Sequence, residues 1–518
     1  MPIAVPSPRS VRDAERILVR QAADQGEPDR LMLRAARAVA ARAMDIADKD
    51  EEILAIAGGG DNGGDALYAA AFLKEFGYSV KACLATEHPH ERALAAAKDA
   101  GVEVSTLSAW TWTSSPTLDR GDLRLLRAPI WIDGIIGTGL MGPLHEPTRS
   151  IIDQLATLAH SYAPTIIAVD LPSGMWHEDG AIDGPTLRAD TVVTMGAVKS
   201  PLVLPPACYS VGEIHVVDLG LGPDLPPYVE VLTAQDIAEG HLIPGTSDHK
   251  YTRGVVCAAV GSRSYPGAGV LAVEGALGAG PGMVRLLADP RVESLVLARR
   301  PGVVTVPGRF QAGVVGPGMD EDARPRAEAL AAQCMRKNLP IVVDAEALGL
   351  VSSLLRAHGP LRRAILTPHA GEAAALLSAL DREKETTRAD VEAAPVAAAT
   401  RLARLTGGCV VLKGARTVIA GADGKLVTIP TGSGWAGVAG SGDVLAGVLA
   451  TLAAAAEVRA EKDGAGVRPD LVTIAARGAW IHAEAARRAA HTHGNAGGPI
   501  QPEDIAATIA SVIGQVLT

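Results

Sequence analysis

Several apolar segments in this sequence end directly at an aspartate or a glycine-rich turn, and this repeated pattern constrains the fold more than any other feature. The apolar run 53–57 leads into Gly58-Gly59-Gly60-Asp61-Asn62-Gly63-Gly64-Asp65, and a helical pattern follows it. The runs that end at Asp133 and Asp170 repeat the arrangement. In a parallel sheet the carboxyl ends of the strands meet at one edge, where ligands bind. The sequence therefore predicts an α/β fold with a site along that edge.

A second series of strands and helices begins near residue 254 and contains its own glycine-flanked aspartate. The series ends in Ala439-Gly440-Ser441-Gly442-Asp443, which opens an apolar helix. Backbone N–H groups of small residues at a helix N-terminus bind anions. An aspartate beside such an anion site can take the proton of a hydroxyl that attacks a phosphoryl group. This stretch predicts a phosphoryl-transfer site.

The length of the chain and the position of its Pro/Gly-rich segment predict two domains. With 518 residues the chain is too long for one hydrophobic core. Proline and glycine accumulate between about 220 and 245, where the strand and helix periodicity lapses. We therefore predict a first domain over 1–230, a linker over 231–245 and a second domain over 246–518.

Charge and cysteine usage restrict the partners and the compartment. The 48 basic and 58 acidic residues give a net charge of −10, which argues against nucleic acid or an anionic membrane as the main partner. The five cysteines are widely separated, as is typical of reduced thiols. The N-terminus has no basic segment followed by an apolar core, and the apolar run 444–456 is shorter than a membrane span. We expect a cytoplasmic protein that forms a homo-oligomer.

Oxygen-bearing side chains at the strand ends of the first half suit a hard cation. Asn62, Asp133 and Ser173 all supply such oxygens. Asp170 could serve the same site, or it could act as a base next to a ligand. Taken singly, these motifs also fit helix caps and turns. The same choice stands open for His369, which follows a strand in the second half and fits a histidine at a strand–helix turn.

Four motifs of the first half, in order and spacing, resemble those of the NAD(P)H-hydrate epimerase family. They are Asp61 to Asp65, Asp133 to Gly139, Val169 to Gly174 and Gly196-Ala197-Val198-Lys199. The resemblance implies a Rossmann-like three-layer domain that interconverts the R and S epimers of NADHX and NADPHX, which are hydrated at C6 of the nicotinamide ring. The family commonly has Asn where Asp61 stands and Gly where Ala66 stands.

The same resemblance implies roles for individual residues of the first half. Asn62, Asp133 and Ser173 would hold a potassium ion, and Asp170 would be the catalytic acid-base residue. The residues that would contact the hydrated nucleotide are Asp61, Asn62, Gly63, Gly64, Asp65, Gly137, Thr138, Gly139, Leu140, Met141, Gly142, Pro143 and Asp170.

The second half, from about His249 to the C-terminus, resembles the ADP/ATP-dependent NAD(P)H-hydrate dehydratase family of ribokinase-like fold. The resemblance lies in a glycine-serine turn at 261–262, Gly316-Pro317-Gly318, Thr367-Pro368-His369-Ala370-Gly371-Glu372, Leu412-Lys413-Gly414 and the stretch 439–443. It implies that Ala268, Gly318, His369 and Asp443 contact the hydrate, with Asp443 catalytic. Adenine-nucleotide contacts would come from Lys413, Gly414, Ala415, Arg416, Thr417 and Gly442.

The resemblance of the two halves implies one polypeptide that repairs damaged NADH and NADPH. The second domain would phosphorylate the C6 hydroxyl with ADP or ATP and Mg²⁺, ADP being the donor that the resemblance favours, and phosphate would then leave. The alternative is a ribokinase-like small-molecule kinase with a non-catalytic N-terminal binding module, since its Gly-x-Gly-Asp motif looks alike. The family usually has Thr where Val438 stands.

Overall fold

The chain divides into two compact units. The computed structural model describes residues 2–107, 118, 120–140, 142–221, 225–240, 243–381, 385–430, 432–464 and 468–517. One unit is Ala4–Tyr228, and the other is Val229–Thr518 together with Met1–Ile3.

A seven-stranded parallel sheet forms the centre of the N-terminal unit. Its strand order is β4-β3-β2-β5-β6-β7-β8, and every recorded pair is parallel. Strands with both faces covered read as continuous apolar runs, which is why the sequence pattern located most of them. The first strand of the chain, β1 (Ile3–Val5), is not part of this sheet. The strands of the sheet are β2 (Glu52–Ala57), β3 (Ser79–Leu84), β4 (Glu103–Thr106), β5 (Ile130–Gly134), β6 (Thr165–Val169), β7 (Ala189–Met195) and β8 (Val211–Val217).

Helices cover both faces of this sheet and give three layers. Ile53 and Ala55 of β2 lie in one apolar cluster, whereas the alternate residues Leu54 and Ile56 lie in another. Alternation along a single strand places the two clusters on opposite sides of the sheet. The predicted three-layer domain is therefore present. The helices are α1 (Pro8–Asp24), α2 (Arg30–Ile46), α3 (Gly60–Glu75), α4 (Glu91–Asp99), α5 (Arg120–Leu125) and α6 (Thr148–Tyr162).

The start of α3 differs from the sequence prediction. The sequence suggested a glycine turn followed by a helix, but the helix begins at Gly60, so the cluster forms its first turns. A Cβ added to Gly63 would lie 1.9 Å from Gly58 O, which leaves room only for glycine. The cluster is thus needed for close packing of the helix start against the preceding loop.

The C-terminal unit contains a larger, mixed sheet, in which the strands β9 to β17 have the order β9-β17-β16-β15-β14-β13-β12-β10-β11. The pairs β15–β16 and β16–β17 are antiparallel. The sequence prediction missed this hairpin and also β11. The strands are β9 (Val229–Val231), β10 (Val255–Ala259), β11 (Met283–Leu286), β12 (Ala312–Val315), β13 (Ile341–Val343), β14 (Ala364–Leu366), β15 (Cys409–Leu412), β16 (Arg416–Ala420) and β17 (Leu426–Pro430).

The helices of this unit include one within the segment predicted as a linker, α7 (Ala234–Gly240). Residues of α8, α15, α16 and α17 join the strands in a large apolar core. The remaining helices are α8 (Pro266–Gly278), α9 (Pro290–Arg299), α10 (Arg324–Lys337), α11 (Val351–His358), α12 (Ala370–Leu380), α13 (Arg388–Ala393), α14 (Pro395–Thr406), α15 (Ser441–Asp463), α16 (Leu471–His491) and α17 (Pro502–Val516).

Helix α15 is apolar because it lies in this core. By length and composition Ser441–Lys462 could cross a membrane. The apolar run 444–456 seen in the sequence is shorter and did not suggest this. However, 72% of the most apolar 18-residue stretch of the helix is buried inside the protein. It packs tightly against α8, because a Cβ on Gly447 would lie 2.0 Å from Ala272 O and one on Gly275 would lie 2.2 Å from Val444 O. Two glycines therefore allow the helix backbones to approach closely.

Candidate functional site

Asp170 follows β6 at the carboxyl edge of the N-terminal sheet and has an unusual backbone conformation. Its φ is +68°, in the left-handed region that a non-glycine residue adopts at an energetic cost. Its backbone N–H donates to Val193 O at 2.8 Å, and its Oδ1 accepts from the N–H of Met195 at 3.1 Å. These bonds to β7 hold the carboxylate in one place.

Lys199 supplies the positive charge beside Asp170. Its side chain is 0% exposed, and Nζ lies 2.5 Å from Asp170 Oδ1, 2.7 Å from Met195 O and 3.0 Å from Thr194 Oγ1. The last of the four epimerase-like motifs ends at Lys199, but the sequence prediction gave this residue no role. A buried ion pair with further hydrogen bonds is the condition under which such charges are tolerated.

Further carboxyl groups crowd around this pair. Burial, followed by the charges of Asp170, Asp61 and Glu15, raises the pKa of Asp65 well above its ordinary value. Burial also raises the pKa of Glu15, on α1, to about 7, against the lowering effect of Lys199. Perturbed carboxyl groups gathered around one cation are typical of acid-base sites. Asp61 and Asp65 were predicted site residues, whereas no sequence motif had indicated Glu15.

Asp133 and Ser173, two of the three predicted potassium ligands, are in direct contact. Asp133 is 0% exposed; Ser173 Oγ donates to its Oδ1 at 2.5 Å, and the backbone N–H of Ser173 donates to its Oδ2 at 2.8 Å. Burial raises the pKa of Asp133. A cation beside this carboxylate would offset the cost of burying its charge.

Asn62, the third predicted ligand, lies at the same sheet edge. Its Nδ2 donates to Val169 O at 2.7 Å, and a Cβ added to Gly137 would lie within 2.7 Å of its amide group. Carboxylate, hydroxyl and amide oxygens fit an alkali cation rather than a transition metal. Within the described residues, no group of three or more His, Cys, Asp or Glu side chains could hold a metal ion.

The loop after β5 contains the other predicted substrate contacts of the first half. Gly137 O accepts from the N–H of Leu140 at 3.1 Å, which forms a turn, and Thr138 O accepts from Arg12 Nη1 at 3.3 Å. Thr138 and Leu140 line a cavity of about 270 Å³ with Arg12 and Trp176 among their neighbours. Gly139, Gly142 and Pro143 belong to the same loop, whereas the predicted contact Met141 lies outside the described residues.

In the C-terminal unit the predicted anion site lies at the N-terminus of α15. Gly440, with φ +94°, precedes the helix, and a Cβ there would lie 2.4 Å from Leu271 Cδ1 of α8. A Cβ on Gly442 would lie 3.3 Å from Lys413 Nζ. The helix start, with its backbone N–H groups, therefore faces a lysine, an arrangement that binds anions.

Asp443 lies in the first turn of α15 and has a strongly perturbed carboxyl group. Burial, then the charge of Asp344, raises its pKa to about 7, while Lys413 acts in the opposite direction and Glu346 adds a smaller rise. A carboxyl group with a pKa near neutrality exchanges protons readily, as a general base must. Asp344 and Glu346 follow β13, and neither was predicted as a site residue.

Asp344 and Thr367 fix the position of Lys413. Lys413 Nζ lies 2.7 Å from Asp344 Oδ1 and 3.9 Å from Glu372 Oε2. Asp344 Oδ1 also accepts a hydrogen bond from Thr367 Oγ1 at 2.7 Å. The strand ends of β13, β14 and β15 thus place these side chains together. The sequence prediction named Lys413 but missed the carboxylates that hold it, because they are far away in the chain.

The remaining predicted nucleotide contacts lie at the end of β15 and in the hairpin strand that follows it. Residues 413–417 were predicted to contact the adenine nucleotide, and of these Arg416 and Thr417 belong to β16 and pair with Pro430 and Ile429 of β17. Gly414 and Ala415 connect β15 to β16 and are the part of this segment outside the two strands. The backbone of β16 is committed in part to the sheet, since ladder pairing uses its N–H groups.

The predicted substrate contacts of this unit other than Asp443 occupy two places. A Cβ on Gly318, whose φ is +60°, would lie 2.7 Å from Ala268 Cβ, so these two residues are in contact. His369 caps α12: its Nδ1 accepts from the N–H of Gly371 at 3.0 Å, and Glu372 accepts from the N–H of His369 at 2.8 Å. The turn-and-cap reading of His369 is therefore present in the structure, and its substrate contact stays a prediction.

His482 is a partly buried neighbour of the predicted anion site, and no motif indicated it. Its Nε2 lies 3.0 Å from Ser441 O and 3.2 Å from Ser441 Oγ. Burial lowers its pKa to about 4, so the ring is neutral at neutral pH. It therefore orients the first turn of α15 without adding charge.

The two units define a class of protein: an α/β protein of two units. One has carboxyl groups around a buried lysine at the edge of a parallel sheet, and the other has a helix N-terminus that faces a lysine and a carboxyl group of raised pKa. Residues 28–200 match the family described as YjeF-related protein N-terminus, and residues 256–510 match the NAD(P)H-hydrate dehydratase family.

The chain is also similar to whole relatives, and the similarity extends over both halves. Over 422 residues the chain is 38% identical to the bifunctional NAD(P)H-hydrate repair enzyme Nnr of Mycobacterium leprae, covering 79% of this chain and 80% of the relative. It is 31% identical over 443 residues to the Escherichia coli K12 protein of that name, covering 82% and 80%. The crystal structure of the Bacillus subtilis ADP/ATP-dependent NAD(P)H-hydrate dehydratase, co-crystallised with ATP/Mg²⁺, is 21% identical with a TM-score of 0.45, covering 55% of this chain and 97% of that one.

This chain belongs to the family of bifunctional NAD(P)H-hydrate repair enzymes. The predicted family and α/β fold class are thereby confirmed, and so is the pair of activities, epimerisation and dehydration of NAD(P)H hydrates.

Proposed function

We propose that the epimerisation takes place at the Asp170–Lys199 cluster and the dehydration at Asp443. The observation that supports this assignment is the charge around each carboxyl group. Lys199 pairs with Asp170 at 2.5 Å, and the charges of Lys413 and Asp344 act on Asp443. In the N-terminal unit the left-handed backbone of Asp170 and the buried ammonium of Lys199 hold the carboxylate ready to exchange a proton with the hydrate.

In the C-terminal unit Asp443 takes the proton of the C6 hydroxyl as the hydroxyl oxygen attacks the terminal phosphoryl group of the nucleotide. The N–H groups at the start of α15 and Lys413 stabilise the negative charge on that group. Phosphate then leaves C6 and takes the C–O bonding electrons with it, which hydroxide does poorly. Loss of a proton from the neighbouring ring carbon restores the dihydronicotinamide.

We expect both units to use cations. The Asp133, Ser173 and Asn62 oxygens fit K⁺, which would supply a fixed positive charge for an anionic part of the hydrate. In the C-terminal unit the carboxylates of Asp344 and Glu372, next to Lys413, suit Mg²⁺, which binds through one or two carboxylates and nucleotide phosphates. Mg²⁺ would supply charge neutralisation during phosphoryl transfer.

Absorbance of reduced nicotinamide tests the dehydration. The full chain is incubated with S-NADHX, Mg²⁺ and either ADP or ATP, and we expect recovery of NADH with both donors, faster with ADP. Formation of a stable phosphorylated product without NADH would favour the small-molecule kinase. No recovery with either donor would contradict the dehydratase assignment.

The epimerisation is tested separately with the Asp443→Ala variant and pure R-NADHX. We expect S-NADHX to form, because the N-terminal site does not use Asp443. If R-NADHX changes no faster than in a protein-free blank, the N-terminal unit is a binding module instead.

Size measurement in solution tests the proposed homo-oligomer, and fractionation of the host cell tests the proposed cytoplasmic location.

A further inference from the structure

Helix α1 is fixed against the loops that surround the Asp170–Lys199 cluster. Pro6 O, just before the helix, accepts from the N–H of Ser200 at 2.9 Å, next to Lys199. Arg12 on the first half of α1 donates to Thr138 O in the loop after β5 at 3.3 Å. The helix is therefore positioned by two parts of the sheet edge, and its inward-facing side chains border the site.

Glu15 is the acidic side chain that α1 directs towards this cluster. A Cβ added to Gly196 would lie 3.5 Å from Glu15 Oε1. That oxygen is buried and has no hydrogen-bond partner among the residues that the structure describes. A buried oxygen of this kind is costly unless a ligand or a proton satisfies it.

The charged groups facing Glu15 come from several elements. Lys199 follows β7, Asp170 follows β6, and Asp61 and Asp65 belong to α3. One ammonium group thus faces four carboxyl groups, and its hydrogen-bonded partner among them is Asp170. This imbalance, together with burial, keeps a proton on part of the cluster, in line with the raised pKa of Glu15.

We propose that Glu15 is a second proton-carrying residue of the epimerase site, acting opposite Asp170. This role depends on the assignment of epimerisation to this cluster. Two carboxyl groups in different environments suit the acid and the base of a single reaction. Asp170 is in an ion pair, whereas Glu15 has no hydrogen-bonded cation in the part of the chain that the structure describes.

The reaction balances with these two groups. The Glu15 carboxyl gives its proton to the C6 hydroxyl, the C6–O bond breaks, and water leaves while the lone pair of the ring nitrogen forms a C=N bond to C6. Water then adds to the other face of C6, the C=N electrons return to nitrogen, and the released proton goes to Asp170. The reverse direction uses the same groups in exchanged roles, and solvent returns their protons to the starting arrangement.

The test uses pure R-NADHX and the full-length Glu15→Gln variant, whose side chain has a similar shape but does not titrate. We expect kcat for epimerisation to fall about 100-fold with little change in KM, as for loss of a general acid. The pH dependence near neutrality should also disappear. Asp13→Asn is the matched control, since Asp13 is exposed on the same helix and pairs only with Arg16 at 3.7 Å in the recorded contacts of the described residues. This control should behave as wild type.

Wild-type kcat and pH dependence in Glu15→Gln would overturn the proposal, and so would a change in KM alone. If Glu15→Gln does not fold, Glu15→Asp decides, because it keeps a titrating group on a shorter side chain. Partial activity with the pH dependence retained supports the role, whereas full activity or a lost pH dependence contradicts it. A wild-type chain that does not epimerise R-NADHX would instead overturn the assignment of the site.

Discussion

Asp170 and Asp443, the carboxyl groups proposed for catalysis in the two units, have contrasting surroundings. Asp170 lies 2.5 Å from a fully buried lysine and has a left-handed backbone, so its position is fixed before a substrate arrives. Asp443 has a pKa near neutrality, and the lysine of its site is held by Asp344 instead. The difference matches the chemistry, because phosphoryl transfer needs a base that gains a proton as a new anion arrives.

The largest expected effect is that of Asp443→Asn on dehydration. The amide keeps the shape of the side chain but cannot accept the hydroxyl proton, so kcat for NADH formation from S-NADHX should fall by about 10³-fold. Epimerisation of R-NADHX by the same protein should be unchanged, which serves as the internal control. A joint loss of both activities would contradict the separation of the two sites.

Removal of Lys199, the lysine beside Asp170, should affect stability as well as activity. Lys199→Met leaves Asp170 buried without its cation, and we expect the N-terminal unit to lose about 3–5 kcal/mol of unfolding free energy. Urea unfolding measures this loss, with dehydration retained at low urea. Lys81→Met is the control, because the Lys81–Glu52 pair is partly exposed and should contribute at most about 1 kcal/mol. Equal losses of unfolding free energy in both variants would show that the buried Lys199–Asp170 pair contributes no more to stability than a partly exposed one.

Each unit also has a glycine, near its proposed site, where two backbone segments approach closely. Gly63→Ala should weaken epimerisation, and Gly447→Ala should weaken dehydration, since each added Cβ meets a carbonyl oxygen at about 2 Å. Each should cost about 1–3 kcal/mol of stability in its own unit. Gly514→Ala, in α17 with no atom within 4 Å of the new Cβ, should be neutral or slightly stabilising by thermal unfolding.

The smallest expected effect is a change in pH dependence. Dehydration should lose activity as the pH falls through about 7, because protonated Asp443 is not a base. Asp344→Asn removes a charge that raises this pKa, so the midpoint of the kcat/KM profile should move to lower pH by about one unit or less. A midpoint that stays or rises would show that Asp344 does not act on Asp443 through its charge.

Much of this arrangement could be predicted from the sequence because it is local. A strand, a glycine turn and an aspartate at a strand end are neighbours in the chain, so Asp133 and Asp170 could be placed at a sheet edge. Asp443 could likewise be placed at the start of an apolar helix. The β16–β17 hairpin was missed although Asp423-Gly424 is a typical turn signal between its strands.

The partners of these residues could not be predicted in the same way. Glu15 meets the cluster of Lys199 and Asp170 across more than 150 residues, and Asp344 meets Lys413 across 69. Such contacts depend on how the strands are ordered in each sheet, which local patterns do not specify. His482 likewise contacts Ser441 from a separate helix.

The independence of the two sites in one chain is tested by mixing two variants that each lack one of the two activities. Asp170→Asn should dehydrate S-NADHX but not epimerise R-NADHX, and Asp443→Asn should do the reverse. With pure R-NADHX and ADP, neither variant alone should form NADH faster than spontaneous epimerisation allows, whereas an equimolar mixture should convert all of it. A mixture that performs no better than Asp170→Asn alone would contradict the account.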